Sequence, residues 1–160
     1  MQMKKRVLIS TYSVITTIVC FALIIGLGIY LLCKGETVAA YVDFAIVIFL
    51  SIAALFYAPL SLTLTDTTLE INRSLRIKTL PLKDIESVKL CPPTMGAIRV
   101  CGSGGYLGYW GWFKERDLGK YFAYYGKASD CFVVRMKDGR QYMLGCKDAP
   151  EMVAAIQSKL

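Results

Sequence analysis

Residues 7–33 form a run of 27 positions without one charged side chain. At about 1.5 Å rise per residue, a helix of that length exceeds the roughly 30 Å of a bilayer's hydrocarbon core, so the run predicts a tilted spanning helix. A cleaved secretory signal is the competing reading, because Lys4, Lys5 and Arg6 resemble its basic start and Val38, Ala39 and Ala40 a cleavage site. The apolar run is too long for one. Neither Cys20 nor Cys33 follows the small residues that a lipoprotein signal needs.

A second apolar run, residues 44–60, has 17 positions and reaches spanning length if residues 38–42 join it. The short connection predicts a tight antiparallel transmembrane hairpin over residues 1–59, with spans at about 7–33 and 41–59. Ala22 with Gly26, and Ala54 with Ala58, have the four-residue spacing that permits close helix approach. Lys4, Lys5 and Arg6 precede the first span and more basic residues follow the second, whereas the connecting loop offers only Lys34 against Glu36. The positive-inside rule then puts both termini in the cytoplasm. Asp43, near the outer end of the second span, reads as a headgroup-level cap.

The chain is 55% hydrophobic, and the excess lies before Pro59. Proline cannot extend a helical ladder, so the span ends there and residues 60–160 form a globular unit with no flexible linker. That unit holds 15 of the 19 basic and 10 of the 12 acidic residues, a net charge of +5. The charges are scattered, which predicts an ordinary solvated surface compatible with anionic headgroups and gives no basic helix for nucleic acid. Six cysteines without a CxxC pair, and no histidine, predict reduced thiols and neither metal nor other cofactor.

Beyond Pro59 the apolar period becomes two. Leu62 and Leu64, Leu69 and Ile71, and Leu75 and Ile77 predict three short strands in a meander, with turns at 66–68 and 72–74. Ile85, Val88 and Leu90 predict a bulged fourth, ended by Pro92 and Pro93. Strands follow at 121–126, 131–137 and 140–144, the last two joined by the Asp138-Gly139 turn. Asp148 and Glu151, in capping-box spacing around Pro150, open a terminal helix whose Met152, Val153, Ile156 and Leu160 form one apolar stripe. Such a helix must lie on the sheet.

The order of elements, the stretch Leu62-Thr-Leu-Thr-Asp-Thr-Thr-Leu-Glu-Ile71, the segment Leu82-Lys-Asp-Ile-Glu-Ser-Val88 and the glycines near 102–105 together resemble bacterial pleckstrin-homology-like (PH) domains. The resemblance covers residues 60–160. It implies an α+β membrane protein in which a PH-like antiparallel barrel or sandwich of seven strands, capped by a C-terminal helix, hangs from the two spans in a bacterial inner membrane. Eukaryotic relatives bind phosphoinositides through basic residues in the first hairpin loop, whereas the corresponding Asp66-Thr67-Thr68 is short and carries an acid.

Residues 102–120 hold both tryptophans among closely spaced glycines. Three readings stay open: a phosphate-cradling loop, which lacks the helix and lysine such loops need; a membrane-dipping loop; and a structural element whose rings pack on the barrel. Tyr109, Trp110, Trp112, Lys114 and Arg116 are the candidate lipid or partner contacts.

No base and nucleophile pair is evident, so the chain reads as noncatalytic. The expected role is a membrane-tethered module that binds a protein partner, a lipid headgroup or itself at the inner leaflet, with no small-molecule substrate. The alternative is a transport or ion-handling accessory acting through its spans, with Asp43 and the stripe Ser10, Ser13 and Thr17 as its polar groups.

Overall fold

The computed structural model describes residues 2–160. Its first element is a strand, β1 (Met3–Arg6), followed by helix α1 (Thr11–Cys33) and helix α2 (Thr37–Tyr57). Helix α1 starts four residues later than the apolar run because Ser10 keeps an extended backbone and its Oγ accepts the Ser13 amide at 3.2 Å. Only Lys34, Gly35 and Glu36 separate the helices, with Gly35 at φ +81°. Ala58 then turns extended and β2 (Pro59–Leu64) begins at once.

Both helices are long and apolar enough to cross a membrane. Large side chains such as Ile18, Leu23, Val38 and Phe49 are exposed along them, an apolar surface that suits lipid better than water. Their close approach is not at Gly26, where an added Cβ would meet nothing within 4 Å. It lies at Gly28, where a Cβ would stand 2.8 Å from both Asp43 Oδ2 and the Phe44 ring. Asp43 is therefore buried between the helices rather than capping α2. It sits six residues, about 9 Å, inside the α2 start.

Two sheets form the globular part. The first pairs β1, β2, β3 (Thr68–Arg73) and β4 (Ile77–Pro81) in that order, all antiparallel. The second contains β5 (Ile85–Leu90), β6 (Ile98–Gly105), β7 (Gly108–Glu115), β8 (Gly119–Tyr125), β9 (Cys131–Met136) and β10 (Gln141–Gly145), ordered β5-β9-β10-β8-β7-β6. Strands β8 and β10 run parallel, and the other pairs are antiparallel. The result is a sandwich of ten strands where the resemblance implies seven, with β1 recruited from ahead of the helices. Leu62, Leu69 and Ile71 from one sheet meet Phe132, Val134 and Leu144 from the other.

Helix α3 (Ala149–Gln157) closes the sandwich with Met152, Val153 and Ile156 buried, while Leu160 lies beyond it and is exposed. Its carboxylates do not form the capping box. Asp148 has φ +55° and makes no side-chain cap; instead Asp148 and Glu151 accept from Lys5 Nζ at 3.2 and 2.6 Å. These bonds hold Lys5 above the usual lysine range and fasten β1 to the helix. All six cysteines are free, and burial pushes the Cys146 thiol up to about 12.

Candidate functional site

Closely spaced glycines decide the shape of the segment from 98 to 115. Gly102 and Gly111 face each other across β6 and β7, at φ +131° and +119°, and a Cβ on either would stand 2.2 to 2.3 Å from the opposite backbone. No other residue permits that approach. The strands therefore coil tightly, and Tyr106 and Leu107 make the two-residue turn between Gly105 and Gly108. A strand follows the glycines rather than a helix, so no phosphate loop forms.

This hairpin leans on the two apolar helices. Leu107 donates its amide to Thr17 Oγ1 at 2.9 Å, and the Tyr106 ring lies 5.5 Å from that of Phe21. Trp110 is buried on Ala54 and Ala58 and stacks on Tyr57 at 5.6 Å, while its indole N–H donates to the Tyr106 carbonyl. Nearby, Ser10 donates its amide to the Gly126 carbonyl. The polar stripe of α1 is thus used inside the molecule: Ser10 caps, Ser13 is fully buried, and Thr17 donates to the Ser13 carbonyl while accepting from Leu107. Likewise Ala54 and Ala58 pack against the Trp110 indole.

The five candidate contact residues do not form one patch. Tyr109 stacks on Tyr125 at 4.8 Å, and burial, then neighbouring Tyr12, raises its hydroxyl above the usual range. Trp110 is enclosed as described. Trp112 remains 37% exposed, edge-on to Phe122, with Lys120 Nζ 4.6 Å from its ring centroid. Lys114 and Arg116 are exposed at the opposite end of β7 from the turn.

A basic and aromatic belt surrounds the root of α2. The β3–β4 turn rests against the helix end through the Leu75 amide and the Leu55 carbonyl, and Arg76 covers the Phe56 ring at 5.4 Å. Arg73 covers Tyr124 at 5.6 Å. With Lys120 on Trp112 and the exposed Leu75 and Ile77, the belt combines cations, amphipathic rings and aliphatic tips, the mixture that suits a membrane boundary. Its arginines lie in no motif, which hid the belt from the sequence. The short loop at Asp66-Thr67 is at the other end of β2 from α2, five strand residues or about 17 Å away.

The model of the bacterial PH domain matches residues 60–160. The chain belongs to the bacterial PH domain family. No curated protein and no solved structure matches it significantly. Membership in this family makes residues 60–160 a PH-like module, the whole chain is of the α+β class, and the two apolar helices ahead of the domain are consistent with a membrane anchor. PH-like families are generally noncatalytic and suggest a binding role.

Proposed function

We infer that this chain is a noncatalytic adaptor of the bacterial inner membrane, with both termini cytoplasmic, which holds its PH-like domain in one fixed orientation against the inner leaflet for a protein partner. One observation carries this reading: β1 and β2, which lead into α1 and out of α2, are hydrogen-bonded neighbours in one sheet, from Met3 opposite Leu64 to Arg6 opposite Ser61. A domain gripped at both roots of a helix pair keeps one face on the bilayer and the other free. The cationic, aromatic belt supports assigning the roots to an anionic cytoplasmic surface. A headgroup contact then orients the domain through Trp112 and its neighbours, and the exposed Lys114 and Arg116 lie where a partner reaches them.

Photocrosslinkers at Trp112, Lys114 and Arg116 of the full chain, activated in living cells, test it. A defined protein adduct from Lys114 or Arg116 that disappears on reversing the other charge is expected. Adducts to lipid alone at all three positions would remove the protein-binding role.

A further inference from the structure

A cavity of about 300 Å³ opens where the hairpin meets the helices. That is the lower end of ligand pockets, roughly 300–1,000 Å³. Its deeper wall is apolar: Cys20, Phe21 and Ile24 of α1 face Val47 and Leu50 of α2. Its shallower wall is the β6–β7 hairpin, including Ser103, Tyr106 and Trp110.

Among the described residues, two polar groups in this lining have no hydrogen-bond or ion-pair partner, the exposed Arg99 guanidinium and the buried Tyr106 hydroxyl. The Arg99 side chain folds back along its own strand, so that Nη1 lies 3.2 Å from where a Cβ on Gly104 would stand, and it forms no ion pair among the described residues. The Tyr106 hydroxyl is buried without a hydrogen-bond partner. Ser103, by contrast, is satisfied by the Tyr106 and Gly108 carbonyls. No carboxylate lines the space, so its fixed charge is the guanidinium alone.

The cavity also has a direction. Gly105, next to the residue that Arg99 covers, abuts Tyr12 and Thr16 in the first turns of α1, whereas Ile24 lies 13 residues along that helix, about 20 Å from its start. The cationic end is therefore at the helix root and the apolar end towards the middle of the span.

We propose that this cavity binds one anionic phospholipid, its phosphate on the Arg99 guanidinium and one acyl chain between α1 and α2. Guanidinium and phosphate match in bidentate geometry, and an acyl chain is the apolar species that surrounds these helices. The Tyr106 hydroxyl supplies a donor to an ester or phosphate oxygen. The proposal rests on the membrane-embedded reading above and goes beyond it by naming a lipid class and a seat.

The test uses the full chain carrying Trp112→Phe, which leaves Trp110 as the sole tryptophan, in phosphatidylcholine vesicles. A fixed small fraction of brominated phosphatidylglycerol or of brominated phosphatidylcholine is added, and quenching of Trp110 is read. About fivefold tighter association of the anionic lipid is expected from one cation near the surface, and Arg99→Gln should erase the preference. Equal quenching by the two lipids, or none by either because a second copy's helix fills the space, overturns the proposal. So does a preference that survives in R99Q. Because Arg76 and Lys120 in the belt also attract anionic lipid, Arg76→Gln with Lys120→Gln is the control. The preference read at Trp110 should survive it, and loss of the preference there assigns it to the belt and overturns the proposal even if R99Q misfolds. Vesicle flotation in the same samples separates this result from the tether: a chain that floats but shows no lipid preference loses the lipid seat and keeps the anchor.

Discussion

The amide of Leu107 donates to Thr17 Oγ1 at 2.9 Å across 90 positions of sequence, hooking the turn of the aromatic hairpin onto the second turn of the first apolar helix. Leu107 holds φ +51° to do so. Thr17→Val keeps the shape and removes the acceptor, leaving a part-buried amide unsatisfied. A loss of about 1 kcal/mol is expected in detergent unfolding, with faster hydrogen exchange at Leu107 than elsewhere in the hairpin. Unchanged exchange at Leu107 would show that the hook is not held in solution.

Facing glycines make a sharper demand. Gly102→Ala or Gly111→Ala places a Cβ against the opposite backbone at a φ that alanine avoids, so each should cost about 1–3 kcal/mol. The damage should stay local: loss of the Trp110 environment, seen as a red-shifted emission in a Trp112→Phe background, while the core of Phe132 and Leu144 keeps its exchange protection. Alanine tolerated at both positions would contradict the coiled hairpin.

Much of this was legible because it rests on short-range pattern. The uncharged run, the proline at the span exit, the alternating leucines of β2 and β3 and the Asp138-Gly139 turn each fix local structure by themselves. What escaped notice depends on distant pairing. Met3–Arg6 has no apolar alternation and reads as a basic flank; it becomes a strand because β2 offers a free edge and because Asp148 and Glu151 gather Lys5. Arg99, exposed and isolated in sequence, gains meaning only when the coil of β6 brings it over Gly104. Small residues were visible as a class, yet Gly28 and not Gly26 sits at the helix contact, since that depends on how the helices are rotated.

Lys5 should latch the N-terminal strand through charge. Lys5→Glu sets like charges against Asp148 and Glu151, so β1 should detach and trypsin should cut at Arg6, which is protected in the unaltered chain. The pH dependence has a definite sign. A lysine whose folded pKa is raised above 10.5 contributes in full below its unfolded pKa and loses that contribution as pH climbs through the raised value. A spin label at Gln2 should stay immobile at neutral pH and loosen in strong alkali as Lys5 loses its proton; loosening between pH 6 and 9 would contradict the latch.

Within the helix pair, Gly28→Leu drives a side chain into Asp43 and Phe44, each 2.8 Å from the new Cβ. Overpacking of this kind costs about 1–3 kcal/mol, readable as a lower midpoint in denaturing-detergent titration, whereas Gly26→Leu, with open space around it, should be near neutral. Equal effects at the two positions would mean that the helices meet on another face.

Sided labelling of thiols tests most directly whether the helix pair crosses the bilayer. Cys33 is exposed at the end of α1 farthest from the sheets, and Cys101 is exposed on β6. In intact cells, a membrane-impermeant maleimide should modify Cys33 and spare Cys101 until the cells are opened. Modification of both from outside, of neither Cys33 nor Cys101 until lysis, or recovery of the full chain in the aqueous supernatant without detergent would contradict a spanning hairpin with its domain on the cytoplasmic side.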